Sequence, residues 1–199
     1  MKKSMASMLL IACFANAQQG YLSKHVEISK DGNVIGVATT LTPVEIISDN
    51  NGVANVKITG FVNENYQEKI VLDPVKYEEY AIFSKDGENA TYEGDINPYI
   101  KNNGKIEDDY GEIWLKAEIS FDVPKDSVVY DPNPLYAKAK GLYEQTCSAC
   151  HHLHDTTEFT VGQWPAAIES MESAGYIVLE SSQRDLITKF LQHNAKDVK

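Results

Sequence analysis

Cysteine is scarce in this chain, which has three among 199 residues, at positions 13, 147 and 150. A disulfide framework is therefore excluded as the source of its stability. Basic residues are also few. The 18 Lys and Arg are outnumbered by 29 Asp and Glu, for a formal net charge of -11. A surface of that sign argues against nucleic acid, whose phosphates need clustered Lys and Arg. It suits solubility and steering towards a basic patch on a partner protein. No run of about 18 apolar residues occurs, so no segment is long enough to cross a bilayer as a helix. Beyond position 17 the only methionine is Met171.

The opening residues read as an export signal over 1–17. Lys2 and Lys3 give a positive start, Met5 to Phe14 an apolar core, and Ala15-Asn16-Ala17 a small-x-small cleavage site. A competing reading takes Leu10-Ile11-Ala12-Cys13 as a lipobox, with Cys13 carrying the lipid. Both place the mature protein outside the cytoplasm, in the periplasm or anchored to its boundary. A buried N-terminal helix suits the Lys-Lys start less well.

The chain divides near Asp131-Pro132-Asn133-Pro134, where two prolines disfavour regular structure. Residues 18–131 read as strands and turns. "HVEISKDGNVIGVA" alternates around Asp31-Gly32, and "PVEIISDNNGVANVKITGFV" around Asp49-Asn50-Asn51-Gly52. Their order looks like a bacterial SH3-like module. "GEIWLKAEISFDVP" places Ile113, Leu115, Ala117, Ile119 and Phe121 on one face of a further strand, after a polar loop "NNGKIEDDYG". Residues 132–199 read as three helices: Pro134 to about Thr146 with Asn133 as cap, about Thr160 to Gly175 with Thr160 and Gln163 as a capping box, and one from Ser181 or Ser182. Gly141 inside the first suggests a close helix crossing, with Phe190 near Gly141 and Tyr143. Fewer than about seventy residues rarely bury enough apolar surface alone, so this part calls for a metal, disulfides or a large cofactor.

Such a cofactor is suggested by Cys147-Ser148-Ala149-Cys150-His151. Two thiols separated by two residues can each form a thioether to one porphyrin, and the next imidazole then lies under its iron. A redox dithiol would need the pair at a helix start beside a βαβ unit, and none is visible. A zinc site would need a second ligand pair beyond the nearby His152 and His154. Covalent haem c on Cys147 and Cys150, with His151 as proximal ligand, is the reading the spacing favours. For the distal ligand Met171 comes first, because it shares a helix face with Trp164 and Ile168. His193 comes second and an open iron site third, while His25 reads as a surface residue. Histidine-methionine ligation would raise the potential relative to two histidines.

The run "YAKAKGLYEQTCSACHHLHDTTEFTVGQWPAAIESM" is similar to the C-terminal monohaem region of TorC-type c-type cytochromes, as is the later Phe190-Leu191-Gln192. Those cytochromes also carry a membrane-anchored tetrahaem region that takes electrons from quinol, and no second C-x-x-C-H or anchor helix occurs here. The resemblance implies a one-electron carrier that receives electrons from an upstream quinol-linked donor. It implies delivery to a periplasmic molybdenum-cofactor reductase of the trimethylamine N-oxide or dimethyl sulfoxide type. The expected fold class is α+β, an SH3-like β domain followed by a small all-α cytochrome c-like haem domain. Outer-sphere electron transfer needs no general acid, base or nucleophile, so an enzyme is not expected. The rival readings are a docking or binding module built on the β part, and a haem-based ligand sensor with an open iron site.

Overall fold

The structure is a computed structural model that describes residues 18–83, 91–150 and 152–198. The export segment 1–17, with Cys13, and His151 lie outside the described residues. Ten strands form one antiparallel sheet: β1 Gln18–Leu22, β2 Val26–Lys30, β3 Asn33–Ala38, β4 Pro43–Asn50, β5 Val53–Asn63, β6 Tyr66–Val71, β7 Glu79–Ile82, β8 Lys101–Glu107, β9 Ile113–Pro124 and β10 Val128–Val129. The hydrogen-bonded order is β10-β1-β4-β5-β6-β7-β3-β2, with β9 on β5 and β8 on β9.

The first two turns form for local reasons. Asp31-Gly32 and Asn51-Gly52 all have positive φ, the backbone that a two-residue hairpin needs to match strand twist. The 11-residue β5 carries the curl. One edge pairs with β9 without a break, from Val53 opposite Pro124 to Asn63 opposite Trp114. The other edge pairs first with β4 and then with β6. Gly60 lies where the partner changes, and a Cβ there would come 2.4 Å from the Val71 carbonyl oxygen. Only glycine permits that approach. Leu22, Ile28, Val56, Ile58, Phe83, Ile119 and Phe121 fill the concave face. The expected alternation of Ile113, Leu115, Ala117, Ile119 and Phe121 is observed in β9.

Three helices follow: α1 Asn133–Cys147, α2 Gln163–Ser173 and α3 Ser181–His193. Asn133 is not the cap of α1. It lies in the helix, and its amide group donates to Asp131 Oδ1 at 2.8 Å. At α2 only half of the expected box forms, with the Thr160 amide donating to Gln163 Oε1 at 3.0 Å. A complete box starts α3, between Glu180 and Gln183. Helices α1 and α3 cross as expected, with the Tyr143 and Phe190 ring centroids 6.2 Å apart. Gly141 is not what lets them cross, since no atom comes within 4 Å of a Cβ built there.

The expected fold class needs correction. Among the described residues the molecule is mostly β, a curled antiparallel half-barrel with three helices attached, and no separate small all-α cytochrome c-like domain stands beside an SH3-like one. The strands of the SH3-like stretch are members of the ten-stranded sheet. The helical core is completed from the sheet: Leu41, 2% exposed and at φ 58°, is buried with Ala139, Tyr143, Trp164, Ile187 and Leu191. Lys189 of α3, 3% exposed, donates to the Glu79 carbonyl oxygen and to Glu78 Oε1. His25 is exposed, as expected, and it also pairs with Asp185 of α3, which helps hold that helix to the sheet.

Candidate functional site

The end of α1, the loop after it, α2 and one residue of α3 enclose a cavity of about 500 Å³. That size is ordinary for a cofactor or ligand pocket. Tyr143, Leu153, Phe159, Trp164, Ile168 and Leu191 give it largely apolar walls. Cys147, the last residue of α1, and Cys150, in the turn that follows, both border it. Cys147 is half-buried and Cys150 exposed, and neither is in a disulfide. Burial pushes the Cys147 thiol above its ordinary pKa of 9.0, so it stays protonated at neutral pH.

Hydrogen bonds from aromatic side chains position the walls. The Tyr143 hydroxyl donates to the His154 carbonyl oxygen at 2.7 Å, tying the loop after Cys150 back onto α1. Burial pushes the Tyr143 phenol up to about 12, with Cys147, Glu158 and Asp155 adding to the shift, so it remains a donor. The Trp164 indole donates to the Thr156 carbonyl oxygen at 3.1 Å and meets the Phe159 ring edge-on at 4.8 Å. His154 Nδ1 lies 2.8 Å from Glu158 Oε2, and its ring packs on Phe159. The last turn of α3 and the residues after it hold the far side of the loop. Asp197 Oδ1 accepts from the Val161 amide at 2.9 Å, and the Gln192 side chain donates to the Val161 carbonyl oxygen at 3.1 Å.

Of the residues singled out in the sequence, Cys147, Cys150 and Met171 meet at this cavity. Trp164, Ile168 and Met171 present one α2 face to it, as their spacing requires. His193 does not line it. Its ring stacks on Tyr136 at 4.4 Å, on the α1–α3 side. Tyr176 and Ile177, in the loop after α2, also line the cavity, as do Leu153 of the preceding loop and Leu191 of α3. Only the apolar residues after Gly175 hinted at the first two in the sequence. Among the described residues no three His, Cys, Asp or Glu side chains gather as a metal cage would require. No described helix is long and apolar enough to cross a membrane.

A haem-sized group fits what is present: an apolar-walled cavity with two thiols on its border and a thioether on the α2 wall. Known proteins similar to the chain are cytochromes. It is 23% identical over 168 residues to the cytochrome c-type protein TorC of Escherichia coli O157:H7, covering 84% of this chain and 40% of the relative. The match to TorC of Escherichia coli strain K12 has the same extent and identity. The cytochrome c-type protein TorY of Escherichia coli O157:H7 is 28% identical over 91 residues, 46% of this chain and 24% of that protein. The chain thus spans about two fifths of the TorC proteins it matches. No family model and no solved structure matches it.

Proposed function

We propose that the chain is a periplasmic monohaem c-type cytochrome that carries single electrons. The observation that supports this most directly is the apolar cavity bordered by both cysteines of the C-x-x-C-H motif. Cys147 and Cys150 would hold the group through thioethers, His151 would be the proximal ligand and Met171 the distal one. When bound, haem c supplies an iron couple that exchanges one electron without atom transfer. Tyr143, Phe159, Trp164 and Leu191 would pack apolar surface against the group, and the bonds to His154 and Thr156 hold the Tyr143 and Trp164 rings in place. The protonated Cys147 thiol keeps that side chain uncharged against the apolar wall before attachment. The similarity to TorC and TorY, which are cytochrome c-type proteins, supports a role in electron transfer. A periplasmic molybdenum-cofactor reductase would be the acceptor and a quinol-linked protein the donor.

The experiment is expression with the periplasmic haem-ligation machinery, followed by mass spectrometry and absorption spectra. The protein is expected to gain one haem mass that acidified organic solvent does not extract. Met171→Ala is expected to keep the haem and lose the methionine-to-iron charge-transfer band. A colourless product ends the cytochrome reading. A parent protein without the band, or one that binds carbon monoxide when reduced at neutral pH, ends the assignment of Met171.

A further inference from the structure

The geometry points to a second binding site, on the sheet, for a small quaternary ammonium cation. It is an aromatic cavity of about 320 Å³ that shares no lining residue with the cavity at the cysteines. It lies between the end of β5, β6, the loop before β7 and the start of β9. That volume is at the small end for ligand pockets. The site does not depend on the cytochrome reading.

Three rings line the cavity, those of Tyr66, Tyr77 and Trp114, together with Val71. Trp114 is buried, whereas Tyr66 is 73% exposed and Tyr77 47% exposed. The Tyr77 and Trp114 rings meet edge-on, with centroids 5.2 Å apart and planes at 85°. Tyr77 sits at φ 56°, where its amide closes a turn onto the Asp73 carbonyl oxygen at 3.2 Å. Glycine would serve that turn without strain, and a tyrosine there costs energy. The tyrosine brings its ring to Trp114. Asp73 Oδ1 fixes the same loop by accepting from the Val75 and Lys76 amides at 2.9 and 2.8 Å. The Trp114 indole is fixed in turn by donating to Asp108 Oδ2 at 3.0 Å. Two of the three rings are thus in place before any ligand arrives.

The sign of the field selects the ligand. Glu68, Glu112 and Lys69 are the charged residues of the wall, and Lys69 is answered by Glu79, 2.5 Å away and not on the wall. Glu68 and Glu112 therefore leave the wall negative. Asn63 holds Glu112 by donating to its Oε2 at 2.9 Å, a bond that leaves the charge in place. Burial, and then the charges of Glu112 and Asp108, hold the Tyr77 phenol above its ordinary value of 10.0, so both carboxylates act on that side chain. Aromatic faces in a negative field attract cations and repel anions. A metal ion would need several converging oxygens, and among the described residues no three acidic, His or Cys side chains gather so. A primary ammonium or a guanidinium brings three to five N–H donors that must all be satisfied on leaving water. Three rings, a valine and two carboxylates, one of them already bonded to Asn63, offer too few acceptors. A quaternary ammonium has no N–H to satisfy, so its methyl groups can lie against the rings while the carboxylates balance its charge.

The test titrates choline into the isotopically labelled, reduced holoprotein. The two tryptophans report separately, Trp114 on this site and Trp164 on the cavity at the cysteines. The Trp114 indole N–H and the amides of β6 and Tyr77 are expected to shift and saturate at millimolar choline, and Trp164 to stay unchanged. The neutral analogue of choline, with carbon in place of nitrogen, is expected to bind at least about tenfold more weakly. Tyr66→Leu should weaken choline binding about fivefold and Tyr66→Phe should not, because the ring is what counts. Glu112→Gln keeps an acceptor for Asn63 and should weaken binding about threefold. Sedimentation with phosphatidylcholine vesicles separates two sources of the same chemistry. Binding of free choline without sedimentation assigns a dissolved ligand, and sedimentation a lipid headgroup. No shift at millimolar choline, a response at Trp164 instead, or equal binding of the neutral analogue or of methylammonium would overturn the site. A haem-free sample in which Trp114 responds as expected would sink the cytochrome reading and leave this site standing.

Discussion

The carboxylate of Asp108 shows how one side chain can be assigned a share of the fold. It accepts from the amides of Tyr110 and Glu112, both at 2.9 Å, and from the Trp114 indole at 3.0 Å. Loss of surrounding water pushes its pKa up. The Glu112 amide, the Trp114 indole and the Tyr110 and Gly111 amides push it further down, so it lies below its ordinary value of 3.8. An acid depressed in the folded state adds stability that is fully present above its unfolded pKa. That stability is lost as the pH falls through the folded value. Asp108→Asn removes the charge and one accepting oxygen, so melting should occur at a lower temperature at neutral pH. The gap to the parent should stay constant above about pH 5 and narrow as the pH falls below the ordinary carboxylate value. Melting curves by circular dichroism at several pH values check this. A gap that is the same at pH 3 and pH 7 would show that the charge contributes nothing.

At the scale of elements, the union of α3 with the sheet rests on Lys189. Its ammonium, between the Glu79 carbonyl and Glu78, also lies 5.3 Å from the centre of the Tyr80 ring. Removing one member of a buried charged set leaves the others without their partner, at a cost of about 3–5 kcal/mol. Lys189→Ala should therefore lower the free energy of unfolding by about 3 kcal/mol in urea titrations. A loss under about 1 kcal/mol would mean that apolar contact alone holds the helix. Nothing in the sequence pointed to this link, because Lys189 and its partners on Glu78 and Glu79 are 110 or so positions apart. Asp31-Gly32 and Asn51-Gly52 were legible because a two-residue turn depends on its own residues. The face of Trp164, Ile168 and Met171 was legible because helical spacing is local too. Strand β8 was missed and read as a loop. Lys101 to Glu107 are all exposed, so they show no alternation, and pairing with β9 is what makes them a strand. Its lysines suit an exposed edge. The site was half legible: the Cys147–Cys150 spacing announces itself, whereas Leu191, Tyr176 and Ile177 reach the cavity only through folding.

At the scale of the whole molecule, the placement of Leu41 decides how far the parts can be separated. This residue leaves β3 in a left-handed conformation, unusual for a side chain of its size, and enters the helical core. Such strain persists only where the surroundings hold it. The loop around it is anchored by buried threonines. Thr39 and Thr42 Oγ1 lie 2.9 Å apart, and the Leu41 amide donates to the Leu22 carbonyl oxygen at 2.7 Å. A fragment beginning at residue 131 would lose Leu41, the acceptors of Lys189 and the His25 partner of Asp185 together. A helical unit of that length is already near the limit of what an apolar core supports. Expressed without residues 18–130, it is expected to keep helical circular dichroism but melt without a cooperative transition. Amide exchange in α3 should then be as fast as in an unfolded chain. Attached haem would supply some of the missing apolar contact, so the haem-bearing fragment should recover order first around Trp164 and Met171 and last along the α3 face that meets the sheet. A fragment that melts in one sharp transition without haem would mean that the helices form an independent unit after all, with Leu41 only resting on it.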